Sequence, residues 1–358
     1  MRFRRSGAGQ LIRRFGVRRR PAFFGRVPIA AAFILTLRPS RDWDDFRVRA
    51  VGFFEFGGPE VLQVVDLPEP HAGPGEVRIR VRAATVNPID TLARAGKRRD
   101  AMAELSPPYV VGMEAAGEID EVGAGAPWPV GEHVIALVLP FGPHKGAHAE
   151  QVVVPAAQVV RAPAGMGPVE AATIPMNGMT AALVIEALDL PPGATTAVTG
   201  AAGAVGGYVI QLAKAAGLQV IADASEKDRG LVRDLGADEI VPRGADVARH
   251  IRALAPDGVA GLVDASVQHA QVVPAIADGG VLVLVRDWAG EPGRGIRKRH
   301  VLVSQAAGRQ DLLVAVRDRA EQGVLVPRVA RTFSPEEAAV AHRMLKAGGT
   351  RGRLVITF

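Results

Sequence analysis

The most chemically suggestive residues in this chain form a glycine-rich run, Gly200-Ala201-Ala202-Gly203-Ala204-Val205-Gly206-Gly207. Its side chains are small enough to let backbone N–H groups approach a phosphate. Val205, Val209, Leu212 and Ala213 recur at helical spacing, so the run stands at a helix start, where free N–H groups and the helix dipole favour an anion. Gly203 and Gly206 occupy the second and third glycines of G-x-G-x-x-G, and Ala201 replaces the first. Asp223 follows about 20 residues later, the distance at which this fingerprint puts an acid on an adenosine ribose. The chemistry these residues offer is dinucleotide binding. A tight strand-to-helix turn packed for its own sake is the plainer alternative.

Most other chemistries lack their residues. The chain has no cysteine, which excludes disulfides, thiolate metal sites and a cysteine nucleophile. Of its eight histidines, His144 and His148 lie four apart, but Gly142, Pro143 and Gly146 argue against a helix that would align them, and no metal site is expected. The net charge of +6 is unevenly placed. Residues 1–41 hold 11 of the 43 Lys and Arg and no acid, which leaves 32 basic against 37 acidic residues, net −5, over residues 42–358. A mildly acidic body without a basic, aromatic-lined face is not a nucleic-acid binder.

The elements that would position the glycine-rich run follow from hydrophobic patterning. Thr195–Val198 reads as the strand before it and Gln219–Asp223 as the strand after its helix. Further apolar strands are expected at Glu239–Val241, Gly261–Asp264 and Val281–Val285, with helical segments at Lys227–Leu235 and Asp246–Leu254. Strands alternating with helices predict a parallel, doubly wound sheet. Upstream, Arg49–Phe54, Val61–Val65, Gly117–Val122 and Glu132–Leu137 read as strands. Glu76–Ala83 alternates apolar and charged residues, the mark of a strand with one wet face. This half predicts a mainly β unit, a partly open barrel. Val169–Leu188 reads as one helix, Asp287–Arg299 as a loop, Gln310–Gln322 as a helix and Phe333 as a turn entry. Ser334-Pro335-Glu336-Glu337 opens another helix, and Leu354–Thr357 is a last strand.

Residues 1–47 read as a disordered basic extension. The apolar run Ile29–Leu37 is too short to span a bilayer, and Arg38-Pro39-Ser40-Arg41 follows where a presequence would carry a small-residue cleavage site. No membrane partner is expected.

Four motifs extend the reading. Asn87-Pro88-Ile89-Asp90-Thr91-Leu92-Ala93-Arg94-Ala95-Gly96, Gly112-Met113-Glu114-Ala115-Ala116-Gly117, Asn177-Gly178-Met179-Thr180 and Gly203-Ala204-Val205-Gly206 together resemble the zinc-independent quinone oxidoreductase branch of the medium-chain dehydrogenase/reductase superfamily. The resemblance implies an α/β chain: a GroES-like β-barrel domain from residues 48–174 and 309–358, with a Rossmann domain, residues 175–308, inserted. It implies a cytoplasmic homodimer that transfers hydride to a quinone, enone or related small electrophile. It places Gly203, Ala204, Val205 and Gly206 on the pyrophosphate, and Asn177 and Thr180 at the nicotinamide and its ribose. Asn87 would donate a hydrogen bond to the acceptor oxygen, or would be only a turn residue before Pro88. Glu114 falls at an acidic position that is usually structural. Asp223 on its own favours NADH. Ser225, Lys227 and Arg243 lie near it, and on the resemblance Lys227 and Arg243 stand where relatives bind the 2′-phosphate, so NADPH is the expected cofactor and NADH the alternative. Relatives often carry a tyrosine where this chain has Leu92, which leaves room for a nucleotide-binding sensor without turnover.

Overall fold

The computed structural model describes residues 47–358. The expectations for residues 1–46 lie outside them, and Arg47, assigned above to the extension, opens the first strand. In chain order the elements are β1 (Arg47–Phe53), β2 (Gln63–Pro68), β3 (Glu76–Val86), α1 (Pro88–Arg94), β4 (Tyr109–Val110), β5 (Glu114–Val122), β6 (His133–Leu137), β7 (Gln151–Pro155), β8 (Val159–Arg161), α2 (Pro168–Ala171) and α3 (Pro175–Leu188). They continue as β9 (Thr195–Thr199), α4 (Ala204–Ala215), β10 (Gln219–Ala224), α5 (Arg229–Asp234), β11 (Glu239–Pro242), α6 (Val247–Leu254), β12 (Val259–Asp264), β13 (Ile276–Leu284) and β14 (Arg297–His300). The return consists of α7 (Gln310–Glu321), β15 (Val329–Phe333), α8 (Ala338–Ala347) and β16 (Arg353–Thr357).

Residues 195–300 form a six-stranded sheet, wholly parallel, in the order β11-β10-β9-β12-β13-β14. Counted from β9 this is 3-2-1-4-5-6, the order of a dinucleotide-binding doubly wound sheet. Its central strands β10, β9, β12 and β13 are largely buried, so Ala197, Val220, Leu262 and Val283 are sealed from solvent and the sequence there runs apolar without alternation. The second sheet has the path β15-β16-β3-β5-β6-β8, with β7 also on β3, and a small sheet β2-β1-β4 adjoins it in sequence. β16 pairs antiparallel with β3, Leu354 opposite Val86 and Ile356 opposite Ala84. Both ends of the described chain therefore build one mainly β layer, and the parallel sheet interrupts it. This is the GroES-like plus Rossmann architecture. Helix α3 joins the two: it packs on α4 and α7 and also touches strands of both large sheets.

Several expectations change. Val169–Leu188 is two helices, because Pro175 starts a new one and lacks the N–H that would continue the old. β2 begins at Gln63, since Pro59–Val61 forms a 3₁₀ turn. The stretch read as the loop Asp287–Arg299 runs into a strand, β14, whose residues Arg297, Lys298, Arg299 and His300 carry no apolar signal. Phe333 ends a strand, β15, and Ser334 then opens a 3₁₀ turn leading into α8. On β3 the wet face holds only in part. Arg80 and Arg82 are exposed, but Arg78 is buried, its guanidinium bonded to Asp120 and paired with Glu69 and Glu121. No helix among the described residues is long and apolar enough to cross a membrane.

Candidate dinucleotide site

The glycine-rich turn leaves β9 at the carboxyl edge of the parallel sheet, where strand order reverses between β9 and β12. Open parallel sheets form their ligand crevice there. The glycines have different duties. Gly200 has φ +73°, and a Cβ on it would stand 2.8 Å from the Ala265 carbonyl; one on Gly206 would stand 2.3 Å from the Gly200 oxygen. Those two glycines serve the turn's own packing. Gly203 is the N-cap of α4, and a Cβ there would meet only the Gly200 oxygen, at 3.0 Å. Its small size keeps clear the space before Ala204, Val205 and Gly206, whose N–H groups have no partner within the helix.

Asp223, on β10, is 3% exposed. One oxygen, Oδ1, accepts the Ala201 N–H at 3.1 Å, so the acid is fastened to the turn; the other, Oδ2, is buried without a partner. Burial pushes its carboxyl above the usual range, opposed by the N–H groups of Ala201 and Gly200 and by the charge of Arg243. A buried acceptor without a donor is costly, and the hydroxyls of a ribose are donors. The residues expected around it divide. Lys227 and Arg243 are exposed. The Ser225 hydroxyl donates to Asp228, whose two oxygens also accept from Arg351 Nε and Nη2 at 2.6 Å each. Arg351 thereby holds the Asp228 carboxyl down to about 2.

Asn177 sits in the first turn of α3, 2% exposed, and its amide nitrogen is buried with no partner. Thr180 follows on the same helix, its hydroxyl donating to the Met176 carbonyl at 2.7 Å. Asp223 and Asn177 thus each present an unsatisfied polar atom, one acceptor and one donor. Such atoms fit a ligand carrying both hydroxyl and carbonyl groups.

Asn87 is fully buried at the N-cap of α1. Its amide nitrogen donates to Thr85 Oγ1 at 3.2 Å and Glu114 Oε1 at 3.3 Å, and its oxygen accepts from Arg353 Nη2 at 2.7 Å. Both amide donors of Asn87 thus meet acceptors within the protein. Glu114 is the hub of this network. Oε1 also accepts from Arg353 at 2.6 Å, and Oε2 accepts the Met176 N–H at 2.7 Å, which ties the start of α3 to β5. Tyr208, on α4, is buried against Thr173 and its hydroxyl is pushed up to about 12, so it stays protonated.

Three residues of this site, Arg328, Arg351 and Arg353, escape a reading of the sequence. Their partners lie more than 120 positions away, and only the close spacing of Arg351 and Arg353 sets them apart locally. The chain lacks cysteine, and among the described residues no three His, Asp or Glu gather as a ligand set.

Comparison with known proteins agrees with this geometry. The family described as "Alcohol dehydrogenase GroES-like domain" matches residues 73–164, and "Zinc-binding dehydrogenase" matches residues 235–356. The "Chloroplast envelope quinone oxidoreductase homolog" of Arabidopsis thaliana is 34% identical over 203 residues, 53% of this chain and 60% of that protein. The "Quinone oxidoreductase" of Pseudomonas aeruginosa is 30% identical over 334 residues, 86% of this chain and 99% of that one. Among solved structures, the quinone oxidoreductase from Coxiella burnetii superposes with a TM-score of 0.79 at 25% identity, covering 87% of this chain and all of that one. With the strand order, the glycine turn and the two sheets in place, these matches show that the chain belongs to the medium-chain dehydrogenase/reductase superfamily of NAD(P)-dependent oxidoreductases, in its quinone oxidoreductase-like branch.

Proposed function

We propose that this chain reduces a small electron-poor acceptor, a quinone or enone, by hydride transfer without a metal, with residues 175–308 holding the dinucleotide and residues 48–174 and 309–358 forming the other domain. The observation that carries the reading is Asp223: one carboxylate oxygen bonded to the glycine turn, the other buried and unsatisfied. A bound nicotinamide supplies the hydride; the protein's part is to bind, orient and exclude water. Ala204, Val205 and Gly206 present N–H groups to the pyrophosphate, and Gly203, whose own N–H donates to the Gly200 carbonyl, leaves the space it needs. Asn177 donates its free amide hydrogens to the carboxamide or ribose, with Thr180 beside it. Asn87 acts as a positioning residue: with Glu114 and Arg353 it holds the Met176 N–H, and hence the helix that carries Asn177.

The same observation bears on cofactor choice. Sequence resemblance points to NADPH, which requires Asp223 to turn away from the adenosine. Its bond to Ala201 and its burial oppose that movement, and its free oxygen suits a ribose hydroxyl, whereas a 2′-phosphate would be repelled. We therefore assign NADH as the preferred cofactor, with Lys227 and Arg243 left as surface cations able to admit NADPH more weakly. The test is direct titration of both dinucleotides followed by turnover over a panel of quinones and enones. Tighter NADH binding and acceptor-dependent oxidation support the proposal. Binding of neither dinucleotide refutes it, and binding without turnover on any acceptor favours a sensor of the same fold.

A further inference from the structure

Arg328 just before β15, Arg351 just before β16 and Arg353 at the start of β16 all reach the site, and their partners differ. Arg353 pairs with Glu114 and Arg351 with Asp228. Arg328 makes no ion pair with a carboxylate among the described residues; its guanidinium lies on the glycine-rich turn instead. Nη1 donates to the Ala202 carbonyl at 3.3 Å and Nη2 to the Gly203 carbonyl at 2.7 Å. A Cβ on Gly207 would stand 2.6 Å from Nη2, so the glycine at this position makes room for the arginine. The backbone beneath it is fixed, because the Arg328 carbonyl accepts the Arg353 N–H at 2.6 Å.

The electrostatics of this placement are unfavourable as they stand. Burial draws the Arg328 guanidinium below its usual value, and the neighbouring charge of Arg351 acts in the same direction. The start of α4 is the positive end of a helix dipole. Only the neighbouring Tyr208 hydroxyl opposes the effects of burial and Arg351. An arginine does not shed its proton, so this half-buried one, with no carboxylate partner among the described residues, suits an anion. The adjoining turn is where the phosphates of a dinucleotide would lie.

We propose that Arg328 is a pyrophosphate-binding residue, contributed by the C-terminal return and completed electrostatically by the ligand. This rests on the dinucleotide reading above. A guanidinium has five N–H donors, and the two carbonyl bonds occupy two. Three remain to meet phosphate oxygens while the side chain stays on the turn. Charge-assisted bonds of that kind are the strong class.

The experiment compares the full chain with Arg328→Gln and Arg328→Met in titrations with ADP-ribose and with adenosine, alongside thermal melts. Glutamine keeps an N–H donor for the turn carbonyls and removes the charge. Both variants should lose about ten- to a hundredfold in ADP-ribose affinity, while adenosine binding stays within about twofold. Raising salt should weaken ADP-ribose binding to the parent more than to either variant. If Arg328 merely braces the turn, glutamine restores ADP-ribose affinity, or both ligands weaken together with the melting temperature; either result overturns the proposal. Parental affinity for ADP-ribose in both variants overturns it as well. Failure of the parent itself to bind ADP-ribose and NADH would instead remove the dinucleotide reading on which it stands.

Discussion

Arg351 grips both oxygens of Asp228 at 2.6 Å, joining the return segment to the loop that follows β10. Asp228 has a second task, accepting the Ser225 hydroxyl. One ion pair thereby fixes the segment that follows Asp223 and β10. Because Arg351 holds the Asp228 carboxyl down to about 2, the pair's stabilisation is fully present above the ordinary aspartate pKa near 4. It is lost as pH falls from there toward about 2. Asp228→Asn should remove that pH-dependent part, so that melts between pH 6 and 3 show a shallower decline than in the parent. An unchanged slope would mean that the pair contributes nothing to the pH dependence.

Asp223→Ser tests cofactor choice. Loss of a charged acceptor should weaken NADH by about 1.5–3 kcal/mol, tenfold or more, and improve NADPH by removing a repulsion. Fluorescence titration of both dinucleotides reads the pair of changes. If the parent already prefers NADPH and the serine variant alters neither affinity, Asp223 does not touch the ribose and the NADH assignment fails.

The glycine turn offers a contrast between binding and folding. Gly203→Val should abolish dinucleotide binding while leaving the melting temperature within a few degrees, since its added carbons enter the space before α4. Gly206→Val drives a side chain into the Gly200 carbonyl, 2.3 Å from its Cβ, and should destabilise by several kcal/mol, as overpacking against backbone does. Calorimetry and thermal melts on the two variants separate these duties. Equal melting temperatures would contradict the assignment.

His342 is fully buried with neither ring nitrogen bonded, beside His148 and Arg94. Burial, then the charges of those two neighbours, holds its pKa well below the ordinary 6.5. The unfolded chain therefore takes up a proton that the folded chain refuses. Stability from this source is complete above pH 6.5 and declines as pH falls, by up to about 1.4 kcal/mol per unit. His342→Leu should flatten urea-midpoint against pH between 6.5 and 5. A parent whose midpoint does not move over that range would exclude the effect.

What was legible in the sequence follows the range of the interactions involved. The parallel strands and the turn at Gly200–Gly207 are local patterns, since apolar runs and small residues announce themselves within a window of ten. β14 was not legible, because Arg297-Lys298-Arg299-His300 pairs through its backbone alone and carries no apolar period. Arg78 alternates as an exposed residue would, and is buried only because Glu69, Asp120 and Glu121 converge on it. Asn87 belongs to a recognisable motif, yet it donates to Glu114 and accepts from Arg353, 266 positions away. Side chains whose meaning depends on such distant partners stay silent until the fold brings them together.

The pairing of β16 with β3 joins residues 353–357 to residues 76–86. A contact between residues so far apart in the chain raises the contact order, and folds rich in such non-local pairings fold more slowly. During synthesis Glu114 emerges about 240 residues before Arg353, the guanidinium that neutralises it in the finished sheet. Until Arg353 is made, burying the Glu114 carboxylate in that layer would leave it without the guanidinium it pairs with, a costly arrangement.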